Sequence, residues 1–195
     1  MNIQKIMNPV TLYVESNKTI TVWHGGNLDS LTHGAKPKGT ANTRYEYGPG
    51  LYTTTHYGTA KMYSKGGKKL YKLIIREGID SSSIIVPINA LDTFLSINSY
   101  NKQYKSYIPY IKEKYGSEIP LNTLINILTE NKILKDIHSL TNFILDQGAD
   151  YRIVSNAFGW GETMLVLFNM SLIEKHTIVK SSDNIEEFDL NPDFQ

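Results

Sequence analysis

The chain has no cysteine among its 195 residues. That removes disulfide staples, thiol nucleophiles and zinc–thiolate centres together. It also has no long apolar run. Nothing approaches the roughly 20 residues of a membrane-spanning helix, so no membrane partner is expected. Met1 to Val14 lacks an apolar stretch behind a basic segment, so no secretory signal is read and a cytoplasmic setting is the expectation. An excess of charge of one sign is missing too. Twenty Lys and Arg face 19 Asp and Glu, a formal net charge of +1, so bulk charge selects neither for nor against a nucleic-acid partner. There is no internal repeat.

The chain is long enough to bury a substantial core without staples, and it is read as one domain over residues 1–195. Its first half is strands and loops. Thr11–Val14 and Ile20–Trp23 alternate around Ser16-Asn17-Lys18, the pattern of a hairpin. A long polar connection runs from Gly25 to Gly48, and connections of that length are usually functional or mobile. A short strand over Leu51–Thr54, a helical turn or two over Tyr57–Ser64 stopped by Gly66-Gly67, and a strand over Leu70–Ile75 follow. From Asn89 to Gln147 the apolar spacing turns helical. Leu121, Leu124, Ile125 and Leu128 recur at i, i+3, i+4 and i+7 behind Pro120. Ile133, Ile137, Leu140, Ile144 and Leu145 make a second stripe, closed by Gly148 as the residue after the cap. Ile108–Tyr115 and Asn89–Ile97 are read as two further helices. Strands return at Tyr151–Val154, Thr163–Phe168 and Ile173–Val179. The nearly all-apolar Thr163–Phe168 run predicts a strand covered on both faces. An acidic tail, Ser181–Gln195, ends the chain. The pattern is α+β, a split antiparallel sheet core with a helical insertion over about residues 89–147.

Three segments place a reactive side chain beside glycine at a strand edge: Trp23-His24-Gly25-Gly26, Gly48-Pro49-Gly50-Leu51-Tyr52-Thr53, and Gly161-Glu162. Each has a bland reading. His24 before two glycines is a surface histidine in a turn; Tyr52 is a core tyrosine after a β-turn; Glu162 is an exposed charge at a loop end. The functional readings are that Gly25 lets a ligand approach the backbone while the imidazole donates to it, and that a carboxylate beside a buried strand has a task. Tyr63 falls eleven residues after Tyr52 on the following helix. A strand and its return helix can set the two rings about a flat heteroaromatic, with stacking worth about 0.5–1.5 kcal/mol per aromatic pair. Phe158 and Trp160 stand on the glycine-containing loop before Glu162 and suggest a contact surface for a partner. Two segments mix or concentrate cations. One runs from Tyr100 to Tyr115 with Lys102, Lys105, Lys112 and Lys114, read either as a base-stacking, phosphate-binding surface or as a solvated helix with a tyrosine-rich core face. The other is Lys61, Lys65, Lys68, Lys69 and Lys72, placed to hold a diphosphate or an acceptor phosphate, or simply solvated.

In order and setting, His24-Gly25, Gly50-Leu51-Tyr52 and Glu162 resemble the His, Tyr and Glu motifs of diphtheria-toxin-type ADP-ribosyltransferases, whose fold is shared with poly(ADP-ribose) polymerases. Gly50-Leu51-Tyr52-Thr53-Thr54 followed by Ala60-Lys61-Met62-Tyr63-Ser64 is the most specific part. Glu162, Met164–Phe168, Asn169-Met170-Ser171 and Ile173 are similar to the last element of phage and bacterial transferase toxin domains. The resemblance covers His24–Tyr71 and Asp150–Val179 and leaves out the middle helices. It implies NAD as co-substrate, with no metal. His24 would bond the 2′-hydroxyl of the ribose, the Gly25 backbone would hold the carboxamide, and Tyr52 and Tyr63 would stack on nicotinamide with Thr53 beside them. Glu162 would be the catalytic carboxylate, with His24 and Tyr52 completing the catalytic set. It implies transfer of ADP-ribose to a macromolecule, nucleic acid ahead of protein, with Phe158 and Trp160 as the acceptor loop. The expected setting is a toxin or phage-conflict effector, with an antitoxin protein as a further partner. A non-catalytic NAD or ADP-ribose binding module is the alternative.

The chain departs from the family pattern at Ala60, where some polymerase relatives carry a serine that bonds the carboxamide. It also departs from the arginine-directed branch, which uses an arginine where His24 stands and Gln or Glu where Trp160 stands. Thr53, Thr54 and Thr55 loosely resemble that branch's Ser-Thr-Ser and are set aside for want of the arginine. The histidines and arginines of the RNA 2′-phosphotransferase relatives are not found.

Overall fold

Strand alternation becomes a six-stranded antiparallel sheet. The computed structural model describes residues 18–28, 45–65, 68–157 and 161–179. The first arm of the expected hairpin, most of the polar connection, Gly66-Gly67, Phe158, Trp160 and the acidic tail lie outside them. In chain order the elements are β1 (Thr19–Gly26), β2 (Leu51–Thr54), α1 (Tyr57–Tyr63), β3 (Lys69–Arg76), β4 (Ile85–Pro87), α2 (Ile88–Asn98) and α3 (Asn101–Tyr115). Then come β5 (Glu118–Pro120), α4 (Leu121–Glu130), α5 (His138–Asp146), β6 (Tyr151–Val154), β7 (Met164–Leu167) and β8 (Ile173–Val179). The large sheet runs β6-β7-β2-β1-β3-β8, and β4 and β5 pair apart from it. The class is mixed α/β with an antiparallel sheet, as the α+β reading expects.

The pleat sorts β7 onto two cores. Met164, Val166 and Phe168 join the helical side with Leu91, Leu95, Leu124 and Ile144. Leu165 and Leu167 join Ile20, Val22, Leu51, Tyr71 and Leu73 on the other. Every residue of β7 is buried, because successive side chains of a strand point to opposite faces and both are covered. The helical segment is therefore no appendage. It forms the layer over one half of one sheet face, and α1 covers the neighbouring half through Trp23, Tyr57, Ala60 and Leu70.

The helices follow packing more than propensity. Leu121, Leu124, Ile125 and Leu128 on α4 are fully buried. Side chains of this kind contribute roughly 1.5–3 kcal/mol each on burial, more than propensity differences below about 1 kcal/mol per residue. The same balance extends α3 seven residues before the expected Ile108 and carries it through Pro109. A helical proline costs about 3 kcal/mol, but Pro109 is exposed while Ile108 and Ile111 beside it are buried. The expected second stripe is shortened. Ile133 is buried in the connection before α5, which begins only at His138. Gly148 closes α5 as the sequence predicts. Its φ is +87°, and the Gly148 and Ala149 amides donate to the Leu145 and Ile144 carbonyls at 2.9 and 3.2 Å, the double bond of a Schellman end. The pairing of β4 with β5 had no signal in the sequence, since both strands have only three residues.

One irregularity positions everything that follows. β1 pairs with β3 along its full length, but with β2 only at Trp23 opposite Thr54. Continuing that register would set Gly25 against Tyr52. Instead the His24 ring takes the Tyr52 carbonyl at 2.8 Å, and the two strands part there.

Candidate active site

A cavity of about 460 Å³ opens where β1 and β2 part, between α1 and the turn before β2. Trp23, Gly25, Tyr52, Thr54 and Met164 line it from the sheet; Thr59, Ala60 and Tyr63 line it from α1. Glu46 and Tyr47 close it from the turn before β2. Its size lies in the range of small-molecule sites, roughly 300–1,000 Å³.

His24 lines this cavity with its tautomer decided. A carbonyl only accepts, so Nδ1 must donate to Tyr52, and the neutral ring then carries no proton on Nε2. Burial lowers its pKa below the usual 6.5, while the bond to the Tyr52 carbonyl pulls the other way. The nitrogen left over, Nε2, is thus an acceptor and not the expected donor. The lowered pKa also fixes a sign. The unfolded chain takes up the proton first as pH falls below about 6.5, so His24's contribution to stability is complete above that value. It is lost between there and the lowered native pKa. Denaturation midpoints should fall from pH 7 to pH 5 with a steeper slope in the wild type than in His24→Gln.

Tyr52 is held by its hydroxyl, which donates to the Gly48 carbonyl at 2.9 Å and accepts from the Tyr47 amide at 3.2 Å. Burial pushes its pKa up to about 12, so the ring is a neutral, fixed wall. Arg152, itself buried, lies over the Tyr47 ring at 5.3 Å and donates to the Asn126 side-chain oxygen Oδ1 at 2.8 Å. Tyr63 lines the same cavity but is 57% exposed, which places it at the mouth. Thr53 also lines the cavity, with its hydroxyl donating to the Leu165 carbonyl at 2.9 Å. Ala60 lies on the wall, so the hydroxyl that some polymerase relatives place there is missing from the cavity itself.

Gly25 serves packing. A β-carbon on it would overlap the Ala60 carbonyl oxygen and come 2.8 Å from the Ser64 amide nitrogen. The helix α1 therefore lies directly on the strand, and the close approach that needs glycine is made by the protein's own backbone. A β-carbon on Gly26 would strike the His24 ring.

Glu162 is 5% exposed, so the reading of a solvated loop-end charge does not hold. Its two oxygens accept from the Thr54 hydroxyl and, at 2.8 Å, from the Thr59 hydroxyl. Both threonines line the cavity, and Glu162 stands behind them. The arrangement is extended by His56, the cap of α1. Its backbone amide donates to the Thr54 hydroxyl at 2.9 Å, and its Nδ1 accepts from the Thr59 amide. The Thr53–Thr55 run set aside on sequence grounds thus supplies one of the two hydroxyls on Glu162, and Thr59 supplies the other. Thr59 gave no sign of this role in the sequence, because it depends on where α1 returns to the sheet. Thr59→Val should lower stability by about 1.5–3 kcal/mol, the scale for losing a bond to a charged group. Thr59→Ser should restore it, as read from denaturation midpoints.

The four side chains singled out in the sequence thus gather around one cavity, three on its wall and Glu162 one hydroxyl behind it. Phe158 and Trp160 lie outside the described residues.

No family model, curated protein or solved structure matches this chain.

The geometry then sets what the site can do. It offers a neutral acceptor (Nε2 of His24), a fixed aromatic wall and a second aromatic at the mouth. Behind that wall it holds a buried carboxylate that accepts from two cavity-lining hydroxyls. Among the described residues, no group of three His, Asp or Glu side chains is set to hold a metal ion, and no helix is long and apolar enough to cross a membrane.

Proposed function

We propose that this protein cleaves the nicotinamide–ribose bond of NAD and transfers ADP-ribose to a macromolecule, on an ADP-ribosyltransferase-like form of its α+β fold. The observation that carries the reading is the convergence of His24, Tyr52, Tyr63 and the Glu162–Thr54–Thr59 cluster on one cavity. In the reaction the C1′–N bond breaks, its electron pair leaves with neutral nicotinamide, and C1′ becomes oxocarbenium-like. The ribose 2′-hydroxyl donates to Nε2 of His24, a bond that strengthens as charge builds beside it. The Glu162 carboxylate stabilises that positive charge. An acceptor nucleophile then bonds to C1′, and its proton passes to Glu162. Tyr52 and Tyr63 hold the nicotinamide plane. The expected setting is cytoplasmic, in a toxin or phage-conflict effector with an antitoxin protein as partner.

One observation favours a second reading. Glu162 stands behind the two threonines with both oxygens engaged, as suits a structural carboxylate in a non-catalytic NAD or ADP-ribose binding module. NAD labelled in the nicotinamide ring separates the two. Release of free nicotinamide above the no-protein rate supports the enzyme. Calorimetric binding of NAD without release supports the module, and the absence of both sinks the two together.

A further inference from the structure

We infer that the macromolecule reaching this cavity is a single-stranded nucleic acid, held on a basic ridge along the α1 side of the mouth; this rests on the transferase reading above. The stretch Leu51–Arg76 contains six cationic side chains, Lys61, Lys65, Lys68, Lys69, Lys72 and Arg76, and no Asp or Glu. In a chain of net charge +1 this is local segregation, and the fold gathers most of it at one place. Lys61 lies in the last turn of α1 and Lys65 just beyond it. In the β1–β3 register Lys72 lies opposite Trp23, with its ammonium 5.5 Å from the centre of the Trp23 ring on the cavity wall. Lys69, three residues before it on the strand, falls on the other sheet face with Tyr71 and Leu73 and is not part of the ridge. Lys61, Lys65 and Lys68 are exposed.

Between Lys61 and Lys65 stand Met62, 64% exposed, and Tyr63, 57% exposed. Large apolar side chains left in water between cations at the lip of a cavity match a ligand that alternates anions with flat bases. Lysines meet phosphates as point charges, and an exposed apolar or aromatic side chain meets a base face without regard to its identity. The diphosphate of NAD does not account for the ridge, because the exposed Lys61, Lys65 and Lys68 already outnumber its two phosphates; Arg76, at the far end of β3, is paired with Glu174 and is not counted. An acidic protein surface would use the lysines but leaves Met62 and Tyr63 unexplained.

The test compares the wild type with the K61A/K65A/K68A variant, all three changes being at exposed positions clear of the cavity wall. Binding of a fluorescent 12-nucleotide single strand, as RNA and as DNA, is measured without NAD across a salt series. Calorimetry gives NAD affinity. The wild type is expected to bind with strong salt dependence. The variant should bind at least tenfold more weakly at low salt, with a log K against log salt slope shallower by about 2, since each lost contact on a single strand removes about 0.7. NAD affinity should stay within twofold. Equal strand binding by both proteins, or none by the wild type, overturns the inference. So does tighter binding of a polyglutamate peptide than of either strand. A matching loss of NAD affinity in the variant assigns the lysines to the diphosphate instead and also overturns it. Nicotinamide release with no strand binding removes this inference alone. Strand binding with no nicotinamide release removes the transferase reading and leaves a nucleic-acid surface.

Discussion

Glu162→Gln is expected, on the proposed transferase mechanism, to lower nicotinamide release from NAD by about 100–1,000-fold, the usual effect of removing one preorganised group that faces developing charge, while NAD affinity changes little. The substitution suits this site because glutamine keeps the size of the side chain and its oxygen can still accept from one threonine. Glu162→Ala is a poorer probe. It would leave the Thr54 and Thr59 hydroxyls without their buried acceptor, at about 1–3 kcal/mol for each unsatisfied group, so lost activity would be mixed with lost structure. Initial rates of nicotinamide release, read beside calorimetric NAD affinity and a melting curve, decide the matter. If Glu162→Gln binds NAD and releases nicotinamide at the wild-type rate, the carboxylate is structural and the transferase mechanism is wrong.

Gly25→Ala is expected to damage both stability and site. The new β-carbon meets backbone, the Ala60 carbonyl and the Ser64 amide, and backbone cannot rotate aside as a flexible side chain does. Either α1 lifts from β1 or the strand bends, at a cost typical of overpacking, about 1–3 kcal/mol. For a chain of this size that corresponds to a fall in melting temperature of roughly 2–12 °C. Because α1 carries Thr59, Ala60 and Tyr63 on the cavity wall, the shift also moves one partner of Glu162. NAD affinity should fall together with the melting temperature. A Gly25→Ala protein that melts like the wild type would show that α1 does not rest on β1 as described.

How much of this was legible beforehand differs from residue to residue. The β7 run announced its double burial because an unbroken apolar strand has no solvent side. Gly148 announced the end of α5 because a left-handed residue strongly favours glycine. The four site residues could be picked out because each sits at a strand end or on a return helix, settings that local pattern reveals. Their states could not. Which nitrogen of His24 carries the proton depends on a carbonyl 28 residues away, and the engagement of Glu162 depends on hydroxyls 108 and 103 residues away. The packing of α1 on Gly25 was hidden for the same reason, since a glycine beside a ligand and one beside a helix are alike in one dimension.

The sequence by itself determined the class of the fold, the order along the chain of the helices and of the large sheet's strands, and four of the side chains that stand around the cavity. These follow from periodicity, turn residues and the functional groups available, all of them local. Only the tertiary structure decided that β1 and β2 part at His24, that α1 lies on Gly25, and that Thr54 and Thr59 close on Glu162. Those depend on which distant segments share a register and a face, and hydrogen bonds and steric exclusion between distant segments leave no period in the chain.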